Sequence, residues 1–204
     1  MSRQKTVTLY RYEELDERAQ ERALEWAREH RGWQDWDTED LTEQMKQDLE
    51  DRGYVVSGKH PISWSLSYSQ GDGVCFDAAI DLKIVAKRLY PEAIEALDWA
   101  ASVGYPTWAN VNGEERYYTC DLDWSDITDD IDIEDLEEGE ALAWTIMVPR
   151  LQRLRELVEA DMSDTQSALE RLGYAEIAYR DSEKYLKESM KANEDEFDED
   201  GNPA

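Results

Sequence analysis

From Ile62 the chain reads "ISWSLSYSQGDGVCFDAAI", in which Ile62, Trp64, Leu66 and Tyr68 alternate with Ser63, Ser65, Ser67 and Ser69. Val74, Phe76, Ala78 and Ile80 resume the alternation beyond Gln70-Gly71-Asp72-Gly73. A side-chain period of two suits a half-buried strand and cannot line one face of a helix. Two such runs about a glycine-bearing corner predict a hairpin with one apolar face and one serine face. "TWANVNGEERYYTCDLDW" predicts a second hairpin, with Asn112-Gly113 as its turn because that pair tolerates positive φ.

Strands with one apolar face need a cover, and helical spacing supplies it. Leu15, Ala19, Ala23, Trp26 and Ala27 share one face; Leu41, Met45 and Leu49 share another, between the capping pair Asp37-Thr38 and the stop at Gly53. Asp81 is placed to cap a helix through Ile84, Val85 and Leu89, and Pro91 opens one through Ile94, Leu97 and Trp99 that Gly104 closes. Pro149 suits the first turn of a long helix carrying Leu151, Leu154, Val158 and Met162, and a last helix from about Ser182 turns Leu186 and Met190 inward. Thr6 to Tyr10 reads as a first strand, and "NEDEFDEDGNPA" as a trailing acidic tail. The expected fold is therefore α+β, with an antiparallel sheet built from the two hairpins, several packing helices and a helical acidic C-terminal part. Its expected divisions are a core over 1–122, an acidic segment over 123–140, C-terminal helices over 141–193 and the tail over 194–204.

The charge constrains partners more than it constrains fold. With 49 acidic residues against 22 basic ones, the net charge of −27 repels nucleic acid and anionic membrane surfaces and favours a basic protein partner. Eight Trp and 11 Tyr are more aromatic mass than a disordered acidic chain carries. No membrane-length apolar run and no signal-peptide core is present in the sequence, so a cytoplasmic protein is expected. Cys75 and Cys120 then read as free thiols.

From Asp121 to Glu140 there are eleven acidic residues and no Lys, Arg or His. Asp121, Asp123, Asp126, Asp129, Asp130, Asp132, Glu134, Asp135, Glu137 and Glu138 are the candidate partner-binding residues: rows of carboxylates present a field comparable to that of duplex DNA, with about one charge per 1.7 Å of axis. Asp121, Asp123, Ser125 and Asp132 also fall on calcium-loop positions, but Asp126 stands where that loop turns on glycine. A solvated acidic loop is the plain alternative. Ser69, Gln70, Gly71, Asp72 and Gly73 form the other candidate, either a corner closed by Asp72 or a loop whose amides approach an anion or a partner's main chain. His30 and His60 are the only histidines, and neither has the neighbours of a catalytic base or a zinc site. No catalytic residue, metal or cofactor is expected.

Three stretches, "LYRYEELDERAQERALEW", "SYSQGDGVCF" and "SEKYLKESMKANEDEFDEDG", resemble a family of small, uncharacterised tailed-bacteriophage proteins sometimes given antitoxin-like labels. The resemblance implies a protein acting in the cytoplasm of an infected bacterium and makes Ser69 to Gly73 a family feature. Acidity and resemblance together lead to the expectation of a phage inhibitor that binds a basic, nucleic-acid-binding host defence enzyme of the CRISPR or restriction type by DNA mimicry. The alternatives are a small-ligand or metal-binding module centred on Gln70 to Gly73 and a virion-associated structural protein.

Overall fold

Hydrophobic alternation and helical spacing do produce an α+β protein, in which helices pack two antiparallel sheets. The computed structural model describes residues 8–34, 37–124 and 138–204, with side chains of the last stretch described from residue 141. Among the described residues, no helix is long and apolar enough to cross a membrane. The chain divides into two compact units, residues 42–172 and residues 1–41 with 173–204. The expected division at residues 122 and 140 thus differs from the observed one, because residues from both ends of the chain share one core.

The unit of residues 42–172 holds both sheets. Strands β1 (Tyr54–Val56), β4 (Ala78–Asp81), β5 (Trp108–Glu114) and β6 (Thr119–Asp123) form a four-stranded antiparallel sheet in the order β1-β4-β5-β6. Strands β2 (Ile62–Ser65) and β3 (Gly73–Phe76) form a separate two-stranded sheet. The first expected hairpin is therefore split: Ala78 and Ile80, read as its continuation, pair with Val56 and Tyr54 and with Val111 and Ala109. All four residues of β3 are buried, while Ser63 and Ser65 of β2 are half-buried and Ser67 and Ser69 exposed, so the serine face is solvated only on the β2 side. The second hairpin exists, but Asn112 and Gly113 lie inside β5, opposite Asp121 and Cys120. Its turn falls at 115–118 instead, and the glycine serves packing: a β-carbon at Gly113 would lie 2.9 Å from the Phe76 main-chain nitrogen.

Helices α2 (Asp37–Asp51), α3 (Leu82–Leu89), α4 (Ile94–Ser102) and α5 (Glu138–Arg180) follow their apolar spacing. Leu41, Met45 and Leu49 of α2 are wholly buried, and Asp81 caps α3 by accepting from the amides of Lys83 (2.9 Å) and Ile84 (3.3 Å). Pro91 opens a short 3-10 turn, Pro91–Ala93, that leads into α4. Pro149 lies inside α5 and not at its start, because the strong helix formers around Ala141, Leu142 and Ala143 extend the helix upstream of it. In this unit the Tyr54 hydroxyl donates to Asp161 Oδ2 at 3.1 Å, and Arg88 grips the same carboxylate with both terminal nitrogens. Burial, and then the Asp161 charge, push the Tyr54 hydroxyl pKa up, keeping it a donor.

In the other unit, α1 (Glu17–Arg31) is capped by Asp16 and α6 (Glu183–Ala192) by Ser182. Leu15, Ala19, Ala23, Leu24 and Ala27 pack with Leu186, Met190 and Phe197. The small alanines allow close approach, and Phe197 fills the space beside Trp26, edge to face at 5.6 Å. Residues 194–204 therefore do not trail off. Phe197 is fully buried, and its main chain exchanges hydrogen bonds with Tyr10 at 2.8 and 2.9 Å. That isolated bridge is the whole of the strand character at Tyr10; Thr6 and Val7 lie outside the described residues.

Candidate interaction surface

Asp72 is the centre of the Ser69 to Gly73 corner. Its carboxylate accepts from the amides of Ser67 (2.7 Å) and Ser69 (3.0 Å) and from the hydroxyls of Ser65 (3.3 Å), Ser67 (3.0 Å) and Ser69 (3.1 Å). Three of the four alternating serines, Ser65, Ser67 and Ser69, thus serve this one carboxylate, and Gly71, at φ 99°, makes the bend. Gln70 and Gly71 are exposed at the tip. Gly73 begins β3 and lies against Tyr118: a β-carbon there would be 2.7 Å from Tyr118 Cβ. The arrangement closes a corner, with the aspartate's acceptor capacity directed into the loop itself.

Of the ten candidate acidic residues, Asp121 and Asp123 are exposed on β6. Asp126, Asp129, Asp130, Asp132, Glu134, Asp135 and Glu137 lie outside the described residues, and Glu138 is the first residue of α5. Being on a strand, Asp121 and Asp123 project on one face of the sheet and do not curve round a calcium loop. Among the described residues no group of His, Cys, Asp and Glu is arranged to hold a metal ion.

The strand register reveals the neighbours of these two aspartates, which the linear sequence does not announce. Val55, Ala79, Asn110 and Asp123 form one row across the sheet, Asn112 lies beside Asp121, and Glu114 beside Thr119. The opposite face carries Ala78, Ile80, Ala109 and Val111, all buried. The outer face is therefore polar and acidic towards β6, with Val55 and Trp108 exposed by 48% and 47% towards its other end. The four strands carry no Lys, Arg or His. Missed at the sequence level, Asn110, Asn112 and Trp108 were detectable only as the exposed phase of an alternation whose other phase is Ala109 and Val111.

A small polar cleft where the two-stranded sheet meets β5 is lined by His60, Ser63, Cys75, Asp77, Gly113 and Glu115. Asp77 accepts from the Gly113 amide at 2.8 Å, and Glu115 accepts from the Ser63 hydroxyl at 2.7 Å, so both acids hold the two sheets together. Burial, with nearby carboxylates adding to it, pushes the Cys75 thiol up to about 11, which removes it as a nucleophile at neutral pH. No family model, curated protein or solved structure matches this chain.

Proposed function

We propose that the protein binds a basic protein partner through the outer face of β5 and β6 and the acidic segment that follows it. The observation that carries this reading is the exposed, cation-free row of Asp121, Asp123 and Glu114 beside Asn110 and Asn112. Residues two apart on a strand repeat at roughly 6.6 Å, close to the ~6.8 Å of axis that separates every second phosphate of one DNA strand, successive ones being ~3.4 Å apart. Exposed carboxylates at that spacing suit a groove that otherwise receives nucleic acid, and the asparagines add neutral donors and acceptors between them. The phage setting and the class of target, a nucleic-acid-binding defence enzyme, rest on the sequence resemblance and on the net charge of −27.

The test is capture of partners from bacterial lysate on immobilised protein across a salt series, with DNA as competitor. One basic nucleic-acid enzyme, released by salt and displaced by DNA, is the expected result. Undiminished capture by a variant with Asp121, Asp123, Asp129, Asp130, Asp132, Glu134 and Asp135 replaced by Asn or Gln overturns it.

A further inference from the structure

In the order β1-β4-β5-β6, β6 is the last strand, so one of its edges has no strand beside it. Its main chain pairs with β5 from Asn110 with Asp123 to Glu114 with Thr119. Among the described residues, no other main chain bonds to residues 119–123. β3 crosses this hairpin on its inner face, where the Phe76 amide donates to Cys120 Sγ at 3.4 Å and the Phe76 main chain lies over Gly113. That contact covers the face of the hairpin and not its edge. Alternate residues of an antiparallel strand direct their N–H and C=O groups away from the neighbour they pair with, and a row of such groups is a template for one more strand.

The two faces of β6 define what that strand must carry. On the outer face Thr119, Asp121 and Asp123 are exposed, and no Lys, Arg or His stands on any of the four strands. A strand laid beside β6 sets every second side chain directly against these carboxylates, where opposite charge stabilises the pair and like charge opposes it. On the inner face Cys120 and Leu122 are only half-buried, whereas Ala109 and Val111, one strand further in, are buried. The cover that β6 gives to β5 is missing on the far side of β6, and small apolar side chains from one more strand would supply it. A second copy of this chain fits poorly: two β6 strands paired about Leu122, in either direction, put aspartate against aspartate.

We infer that the edge of β6 takes up an extended segment of a basic protein as a fifth strand. Lys or Arg at every second position of that segment faces Asp121 and Asp123, and small apolar residues between them face Cys120 and Leu122. This rests on the acidic-surface reading above and deepens it, because main-chain pairing demands an alternating sequence, whereas a charged surface alone accepts any order.

The test is calorimetric titration of the full chain at low salt with end-blocked Lys-Val-Lys-Val-Lys-Val-Lys and with Lys-Lys-Lys-Lys-Val-Val-Val, which has the same charge. The alternating peptide is expected to bind at least about tenfold more tightly and to slow hydrogen exchange at the β6 amides turned away from β5. In an extended peptide the lysine and valine amides point to opposite edges. N-methylating one set should therefore abolish the preference, and N-methylating the other should leave it. Equal affinity for the two orders, or equal effects of the two methylations, overturns the added strand; the acidic-surface reading then stands if Asp121→Asn with Asp123→Asn weakens both peptides. Failure to bind either peptide overturns both. Slow exchange of the outward β6 amides in the protein alone also overturns the added strand: if the slowing depends on protein concentration the occupant is a second copy, and if it does not, the chain covers its own edge.

Discussion

Gly113 lies directly beneath the main chain of Phe76: a β-carbon at this glycine would stand 2.9 Å from the Phe76 nitrogen and 3.1 Å from its carbonyl oxygen. The two-stranded sheet and the β5–β6 hairpin are thus in backbone contact, which a flexible side chain cannot relieve. Gly113→Ala is expected to cost about 1–3 kcal/mol, measured as a lowered urea midpoint at unchanged slope. An unchanged midpoint would mean that β3 can lift away freely.

Asp72→Ala should loosen only its own corner. The Ser67 and Ser69 hydroxyls and amides that it binds are exposed and regain water, and only the Ser65 hydroxyl is half-buried, so the expected loss is about 1 kcal/mol, with faster hydrogen exchange at Ser67 and Ser69. Salt-sensitive partner capture should survive this change. Capture abolished by Asp72→Ala in a folded protein would favour the ligand-binding module.

Asp161 joins Tyr54 to Arg88, and its side chain is only 12% exposed. Asp161→Ala is expected to cost about 2 kcal/mol, less than for a wholly buried pair because Arg88 is 42% exposed and water screens it. Tyr54→Phe, which removes one hydroxyl and keeps the edge-to-face contact with Phe76 at 5.4 Å, should cost about 1 kcal/mol. Thermal unfolding of the two variants checks the order.

Burial raises both thiols, Cys75 and Cys120, to about 11. The folded state therefore holds these protons more tightly than the unfolded chain, whose thiols titrate near ~8.5. Stability from this source is complete below about pH 8.5 and falls as pH rises towards 11, because the unfolded chain releases its protons first. Urea midpoints at pH 7 and pH 10 should differ more for the wild type than for the variant with both cysteines replaced by alanine. Iodoacetamide at pH 8 should modify the native protein slowly and the unfolded one fast.

What the sequence disclosed depended on how local the determining interaction was. The caps at Asp81 and Ser182 bind amides within three residues, and the α2 stripe of Leu41, Met45 and Leu49 obeys a local period, so each was legible. Asn112-Gly113 misled because a glycine required for close approach to a distant strand has the same spelling as one required by a turn. Phe197 was hidden among acids, since one aromatic in "NEDEFDEDG" carries no period, and only Tyr10 and Trp26, far away in sequence, explain it. Of the interaction surface, the acidic residues were visible as charge, but their pairing with Asn110 and Asn112 required the strand register.

Phe197→Ala tests that hidden anchor. A fully buried ring packed against α1 and α6 should be worth about 3–5 kcal/mol to its own unit. Exchange protection should fall for α1 and α6 amides, and the strands of residues 42–172 should keep theirs. Uniform loss through both units would overturn the assignment of Phe197 to one core.

The bridge between Tyr10 and Phe197 also sets an order of events at the ribosome. Residues 42–172 can complete their own contacts as they emerge, but Ala19, Ala23 and Ala27 wait for Leu186, Met190 and Phe197 to be synthesised. At ~5–20 residues per second, the stretch from Ala27 to Ser182 takes roughly 8–30 s. Throughout that interval the first helix made is the last to find its cover, so a stalled or clipped nascent chain displays a greasy α1 face to chaperones and proteases.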